Sequence, residues 1–448
     1  MSSTNQDTFL DQATPESSSG RAKRRRYPEN AWEVPPSPNA QAPIQEMKRR
    51  LLEDRVTRLG LIFLGKYEDV HLKDVLVDWT DDERRTRING REVVNFGSDS
   101  LLGLDRDSRI QKALVDGLKP WGTHNGASRA FSSVALCEEA EYRLARWLGV
   151  EETLIFPSVS LANMGALPAL VGKGDLLIVD RTSHDTLHQG AKIAAQDGCT
   201  VRELHPCDGE TLRKILRTED YEGSVIAVDG VYSMTGKVPP LAELKQVAVE
   251  FGAVLYVDDA HGTAVVGPNG RGAAVMTLGS LDDILMVGSL SKAFSCLGAF
   301  VTCDLQMKLL LKLRSSTFIF GGPVPPPYLA AICAACDILE SPEYPTLLAR
   351  LHENVQRLTA GIKSIGLIMS GGVGAVIAIT VGDLEKTLLA GKRLFDRGYY
   401  VQSATYPAVP IMEGILRIQV NANHTKESID GLLEALADLK LEFNLPGS

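Results

Sequence analysis

The segment GSLSKAFSCLG, Gly288 to Gly298, encloses a single lysine, Lys292, between hydroxyl-bearing and small residues. Polar residues also stand directly after short apolar runs elsewhere. Asp258 and His261 follow AVLYV in DDAHG, Ser233 follows SVIAV in DGVYSMTG, and His184 follows DLLIVD in RTSHDTLH. Lys292, with Ser289 three residues before it, follows DILMVG in the same way. Each alone has an ordinary explanation: a solvated cation, a turn aspartate, a structural histidine. The set is different. A carboxylate, two histidines, two hydroxyls and a lysine at successive strand ends are what a pyridoxal phosphate site requires. The lysine forms a Schiff base, the aspartate keeps the pyridine nitrogen protonated, and an imidazole stacks on the ring.

Such residues need elements that bring them together. TLIF, DLLIVD, SVIAVD, AVLYVDD, DILMVG and GAFVTC alternate with helix-like stretches between about Glu138 and Cys303. That alternation predicts βα units around a mostly parallel sheet, an α/β core whose ligands lie beyond the carboxyl ends of the strands. After the proline-rich break GGPVPPP, a long helical stretch is expected over Tyr328 to Ile365. Strand-like AVIAITV, a helix from Leu384 and a last strand LRIQV follow, the outline of a smaller α+β domain. Before the core, Ile44, Met47, Leu51, Leu52, Val56 and Leu59 fall at helical spacing, which predicts an amphipathic helix. The expected division is therefore a flexible basic and polar tail (1–43), an N-terminal helix and strand segment (44–105), a large cofactor-binding domain (106–325) and a C-terminal domain (326–448).

The bulk composition narrows the partners. The chain has 448 residues, 44% hydrophobic and 23% charged, with a formal net charge of -9, which argues against nucleic acid as the main partner. No membrane-length apolar window and no secretory signal are evident, so a cytoplasmic location is expected. The basic run RAKRRR, Arg21 to Arg26, reads as a solvated tail able to meet an acidic surface. Seven cysteines scattered through apolar segments read as buried thiols, including the Cys333 and Cys336 pair.

In these motifs the chain resembles the α-oxoamine synthase family of fold-type I pyridoxal phosphate enzymes, over roughly Val93 to Leu439. The resemblance implies that Lys292 holds pyridoxal 5'-phosphate covalently and that Ser289 contacts its phosphate. It implies that Asp258 faces the pyridine nitrogen, that His261 and Ser233 lie near the phenolic oxygen, and that His184 stacks on the ring. Arg417, seven residues before His424 in LRIQVNANHT, corresponds to the arginine that pairs with the amino-acid carboxylate.

The chain also departs from the family pattern. Val159 and Ser160, in FPSVSLAN, stand where a glycine and an aromatic usually form the phosphate cradle, although backbone amides can still bind phosphate there. Asp99 and Ser100 replace an asparagine-rich segment near the substrate, Cys137 replaces a common histidine, and Gly321 and Gly322 replace a hydroxyl normally lent by a neighbouring subunit.

The implied activity is decarboxylative condensation of a small amino acid with an acyl thioester, on coenzyme A or an acyl-carrier protein, to give an α-amino ketone. A homodimer with the site at the subunit interface goes with it. The alternatives are an aminotransferase or aldolase of the same fold, or a non-catalytic partner subunit; the last is disfavoured because Lys292, Asp258, His261 and Arg417 are all present.

Overall fold

The apolar runs of the sequence become one seven-stranded sheet. In spatial order its strands are Glu152–Phe156, Ala299–Cys303, Ile284–Ser289, Val254–Asp258, Ser224–Asp229, Leu176–Asp180 and Thr200–Leu204. The structure is a computed structural model that describes residues 43 to 447 apart from 68, 69 and 74, so the basic run and nearly all of the expected tail lie outside the described residues. Ala299–Cys303 alone runs antiparallel to its neighbours; the other pairings are parallel.

Strands covered by helices on both faces bury every side chain, which is why they read as unbroken apolar runs. Leu176–Asp180, Ser224–Asp229 and Ile284–Ser289 are buried along their whole length. The two-residue period of a strand then divides their side chains between two cores. Leu176, Ile178, Ile226, Val228 and Val257 enter one, and Leu177, Val179, Val225, Ala227 and Tyr256 the other. Thr200–Leu204 lies at the sheet edge and carries exposed Arg202 and Glu203, so its sequence, TVREL, lacks that signature.

Two smaller four-stranded sheets flank the large one. Val77–Thr80, Arg85–Ile88 and Arg91–Asn95 form an antiparallel meander, joined in parallel by Tyr399–Tyr400 from the far end of the chain. Met369–Gly371, Val376–Gly382, Gly414–Gln419 and Gln402–Ala404 form the other, wholly antiparallel sheet.

Two helical expectations need correction. The first amphipathic helix is a pair, Pro43–Glu53 and Arg55–Lys66, and Ile44, Met47 and Leu51 point to solvent, because Pro43–Glu53 buries none of its residues against the core. The side chains of Val56 and Leu59 lie outside the described residues. The stretch Tyr328 to Ile365 is likewise two helices, Pro326–Leu339 and Tyr344–Ile365, the second entered through Pro345 in its first turn. Cys333 and Cys336 sit in the first of these, and all seven cysteines are free thiols.

A buried ionic cluster ties helix Ala135–Leu148 to the sheet edge. Glu141, with 1% of its side chain exposed, accepts from Arg129 Nη1 at 2.6 Å and from the Ile155 amide at 2.7 Å, and lies 3.0 Å from Lys308 Nζ. Removing one member of a buried pair leaves its partners charged and unpaired, which costs roughly 3–5 kcal/mol. Glu141→Ala is expected to lower the urea unfolding midpoint by a matching amount, measured by circular dichroism.

Candidate active site

The sheet ends place the chemical groups. Asp229 and Asp258 close neighbouring parallel strands in register, and Ser289 closes the next. Beyond these ends lies a cavity of about 170 Å³. Lys292, His184, His261, Asp258 and Ser233 line it, together with Val159 and Ser160 at the start of helix Val159–Leu170. Residues scattered over 134 positions, from 159 to 292, thus share one small volume.

Ser289 differs from the expectation. It is 1% exposed and does not line the cavity; its Oγ lies 3.1 Å from Ser291 Oγ and accepts the Ser291 amide at 3.2 Å. Ser291 lines the cavity in its place. Ser289 is the last residue of its strand, and Ser291 stands in the loop beyond it.

Lys292 lies in a short loop between two paired strands. Its carbonyl accepts the Ser295 amide at 2.9 Å, while the Leu290 amide donates to the Gly298 carbonyl at 2.9 Å. Burial draws its pKa below 10.5, with the nearby carboxylates of Asp258 and Asp99 opposing the shift. A lysine in such surroundings loses its proton more readily than one in water.

Asp258 is 4% exposed, so its charge must be satisfied internally. Oδ2 accepts from Asn163 Nδ2 at 2.6 Å and Oδ1 from the Ala260 amide at 3.1 Å. The same Asn163 accepts from Tyr256 Oη at 3.0 Å and reaches Thr186 Oγ1 at 2.9 Å, and that hydroxyl is 2.8 Å from His184 Nδ1. One fully buried amide therefore couples the carboxylate to the ring of His184. Asn163 was not identified from sequence: within FPSVSLAN nothing separates it from a polar residue on a helix surface.

Asp229 is a second buried carboxylate at the cavity. Its Oδ1 accepts the His184 amide at 3.0 Å, and burial, reinforced by the charge of Asp258, pushes its pKa well up. His261 is held neutral by burial, with the positive charges of Lys292 and Arg417 acting in the same direction. Its Nδ1 is buried without a hydrogen-bond partner among the described residues.

Arg417 and Asp99 stand outside this cavity. Arg417 is 4% exposed and lines an adjoining cavity of about 670 Å³, yet its Nε donates to the Ser233 carbonyl at 2.6 Å, so the two cavities share a wall. Asp99 Oδ1 lies 3.6 Å from Arg417 Nη2. His424 belongs to neither: its Nδ1 accepts the Asn421 amide, Nε2 meets the Asn95 carbonyl, and its ring lies 3.9 Å from that of Phe96. Burial brings its pKa down to about 3.

Other departures have local reasons. A side chain at Gly321 would meet the Thr317 carbonyl oxygen at 2.2 Å, and Gly322 has φ 73°, so the glycine pair terminates helix Ser316–Phe320. Cys137 is buried, which pushes its thiol up to about 12.

The lysine loop is also anchored from the N-terminal sheet. Arg84, 2% exposed, donates to both oxygens of Asp105 at 2.9 Å and to Ser98 Oγ at 3.0 Å. Asp105 accepts from Ser100 Oγ, which is 2.7 Å from Ser295 Oγ.

Residues 91–436 match the aminotransferase class I and II family. Fold and site define a fold-type I pyridoxal phosphate-dependent transferase. An 8-amino-7-oxononanoate synthase of Geobacter sulfurreducens is 35% identical over 363 residues, 81% of this chain and 92% of that one. A serine palmitoyltransferase of Sphingomonas wittichii superposes with a TM-score of 0.82 at 26% identity, over 88% of this chain and 98% of the other. One from S. paucimobilis, with PLP and myriocin bound, gives the same TM-score and identity over 100% of its length. The chain belongs to the α-oxoamine synthase family.

A hydrogen bond to a charged group contributes about 1.5–3 kcal/mol, roughly a 10- to 150-fold effect on an equilibrium. Asn163→Ala is therefore expected to weaken pyridoxal phosphate binding within that range, measured by fluorescence titration of the apoprotein. Tyr256→Phe, which only loosens Asn163, is expected to weaken it less.

Proposed function

We propose that this protein condenses a small amino acid with an acyl thioester, releasing carbon dioxide and a thiol and yielding an α-amino ketone, with pyridoxal 5'-phosphate as cofactor. The observation that carries the reading is the convergence of Lys292, Asp258, His184 and His261 on one cavity that shares a wall with the Arg417 cavity.

The residues present suit the cofactor. The amides of Val159 and Ser160 lie at a helix start, ahead of the first intrahelical bonds, where an anion is favoured. Ser291 adds a hydroxyl on that wall, and His261 Nδ1, buried without a partner among the described residues, can meet a polar group. When bound, pyridoxal phosphate supplies a carbonyl for amines and a ring that accepts electrons from the α-carbon.

The protein does the rest. Lys292 Nζ would hold the cofactor covalently and, as a free amine, would take the α-proton; its lowered pKa favours the neutral form this needs. Asp258 provides the negative charge that keeps a ring nitrogen protonated, fixed in place by Asn163. His184 supplies a stacking face, and Ser233 and His261 are the polar groups for the phenolic oxygen. Arg417 orients the amino-acid carboxylate through its guanidinium.

The larger cavity receives the acyl chain in this reading, since Leu72, Val75, Met234, Val401 and Ala408 give it an apolar lining. The thiol carrier is coenzyme A or an acyl-carrier protein. The active unit is a homodimer: Phe131 and Phe320, 90% and 83% exposed in the single chain, are apolar surface of the kind a partner subunit covers. No helix among the described residues is long and apolar enough to cross a membrane, and the working location is the cytoplasm.

Lys292→Ala is expected to abolish the visible absorbance band of the holoenzyme together with thiol release from amino acid and acyl thioester. Retention of both would overturn the assignment. Arg417→Lys is expected to raise the amino-acid KM at least tenfold while leaving that band in place.

A further inference from the structure

The guanidinium of Arg417 already has its partners. Nε donates to the Ser233 carbonyl at 2.6 Å and Nη1 to Gln402 Oε1 at 2.7 Å, which leaves Nη2 facing Asp99 Oδ1 at 3.6 Å. The same carboxylate oxygen accepts from Gln419 Nε2. The group assigned to an incoming carboxylate is thus engaged by a carboxylate of its own chain.

The two sides of this contact differ. Arg417 is buried, with 5% of its side chain exposed, whereas 44% of the Asp99 side chain is open to solvent. The main chain at residue 99 is pinned on both sides, by Arg84 on Ser98 Oγ and by Asp105 and Ser295 on Ser100 Oγ. Asp99 cannot withdraw with its backbone, so only rotation of its side chain clears Nη2.

We propose that Asp99 is a specificity-determining residue that acts as an internal competitor for Arg417, lowering the affinity for α-carboxylates and rejecting amino acids that carry a second one. The proposal rests on the reading of Arg417 as the carboxylate partner. An incoming carboxylate must displace Asp99 or share the guanidinium with it, and two carboxylates at one site repel each other. A second carboxylate on the substrate meets that repulsion twice. A neutral amino acid meets it once, and the partly solvated position of Asp99 allows the side chain to turn outward.

The test is equilibrium titration of the holoenzyme with glycine and with L-aspartate, read from the shift in its visible spectrum, in wild type, Asp99→Asn, Arg417→Lys and the double variant. Asp99→Asn is nearly isosteric and keeps an oxygen for Gln419. It is expected to lower the glycine Kd on the order of tenfold and the L-aspartate Kd by a larger factor, and both gains should vanish in the Arg417→Lys background. Unchanged or weakened binding in Asp99→Asn, with Arg417→Lys still costing affinity, overturns the competitor and leaves the Arg417 assignment standing. Unchanged binding in Arg417→Lys overturns that assignment, and the inference with it.

Discussion

The bond between Asn163 and Asp258 is the contact around which the site is organised. A carboxylate at the end of a doubly covered strand is removed from water, and burying such a charge without partners is too costly for a folded chain. Asn163 resolves this from a helix packed on the sheet: one amide hydrogen-bonds the carboxylate while its oxygen accepts from Tyr256. Because the same amide reaches Thr186, and Thr186 the ring of His184, satisfying the charge also holds that ring. The geometry of the site follows from the solvation of a single group.

Charge is distributed around that group unevenly. Asp229 lies on the adjacent strand, where burial first and the charge of Asp258 second push its pKa up, while Asp258 keeps the direct bond from Asn163. Lys292 and His261 are both displaced toward their neutral forms by burial. The cavity is therefore poor in charge on the basic side, as the proposed roles of Lys292 and His261 require.

Much of this was legible in the sequence, for reasons that differ by element. The six apolar runs read as strands are all strands of the large sheet, because full burial on both faces leaves an unbroken apolar record. Thr200–Leu204 was not legible, since an edge strand with Arg202 and Glu203 facing solvent carries no such record. The amphipathic spacing of Ile44, Met47 and Leu51 announced a helix and left its surroundings open, because periodicity reports a stripe and says nothing of what covers it. Lys292, Asp258, His261, His184 and Ser233 were visible as polar groups at strand ends. Asn163 and Asp229 act through contacts across the fold, and Ser291 rather than Ser289 meets the cavity because the strand ends at Ser289, a boundary that residue type does not encode.

The Arg84, Asp105, Ser100 and Ser295 series has a consequence for the lysine loop. Its last bond joins residues 195 apart in the chain, and Ser295 sits at φ 54°, a left-handed conformation that ordinary residues adopt only when their surroundings impose it. The loop bearing Lys292 cannot settle from its own sequence. Its shape is secured by residues 84 to 105, through the Asp105 and Ser100 contacts that end on Ser295. A change at Arg84 or Asp105, about 200 residues away in sequence, thus reaches the loop that carries Lys292.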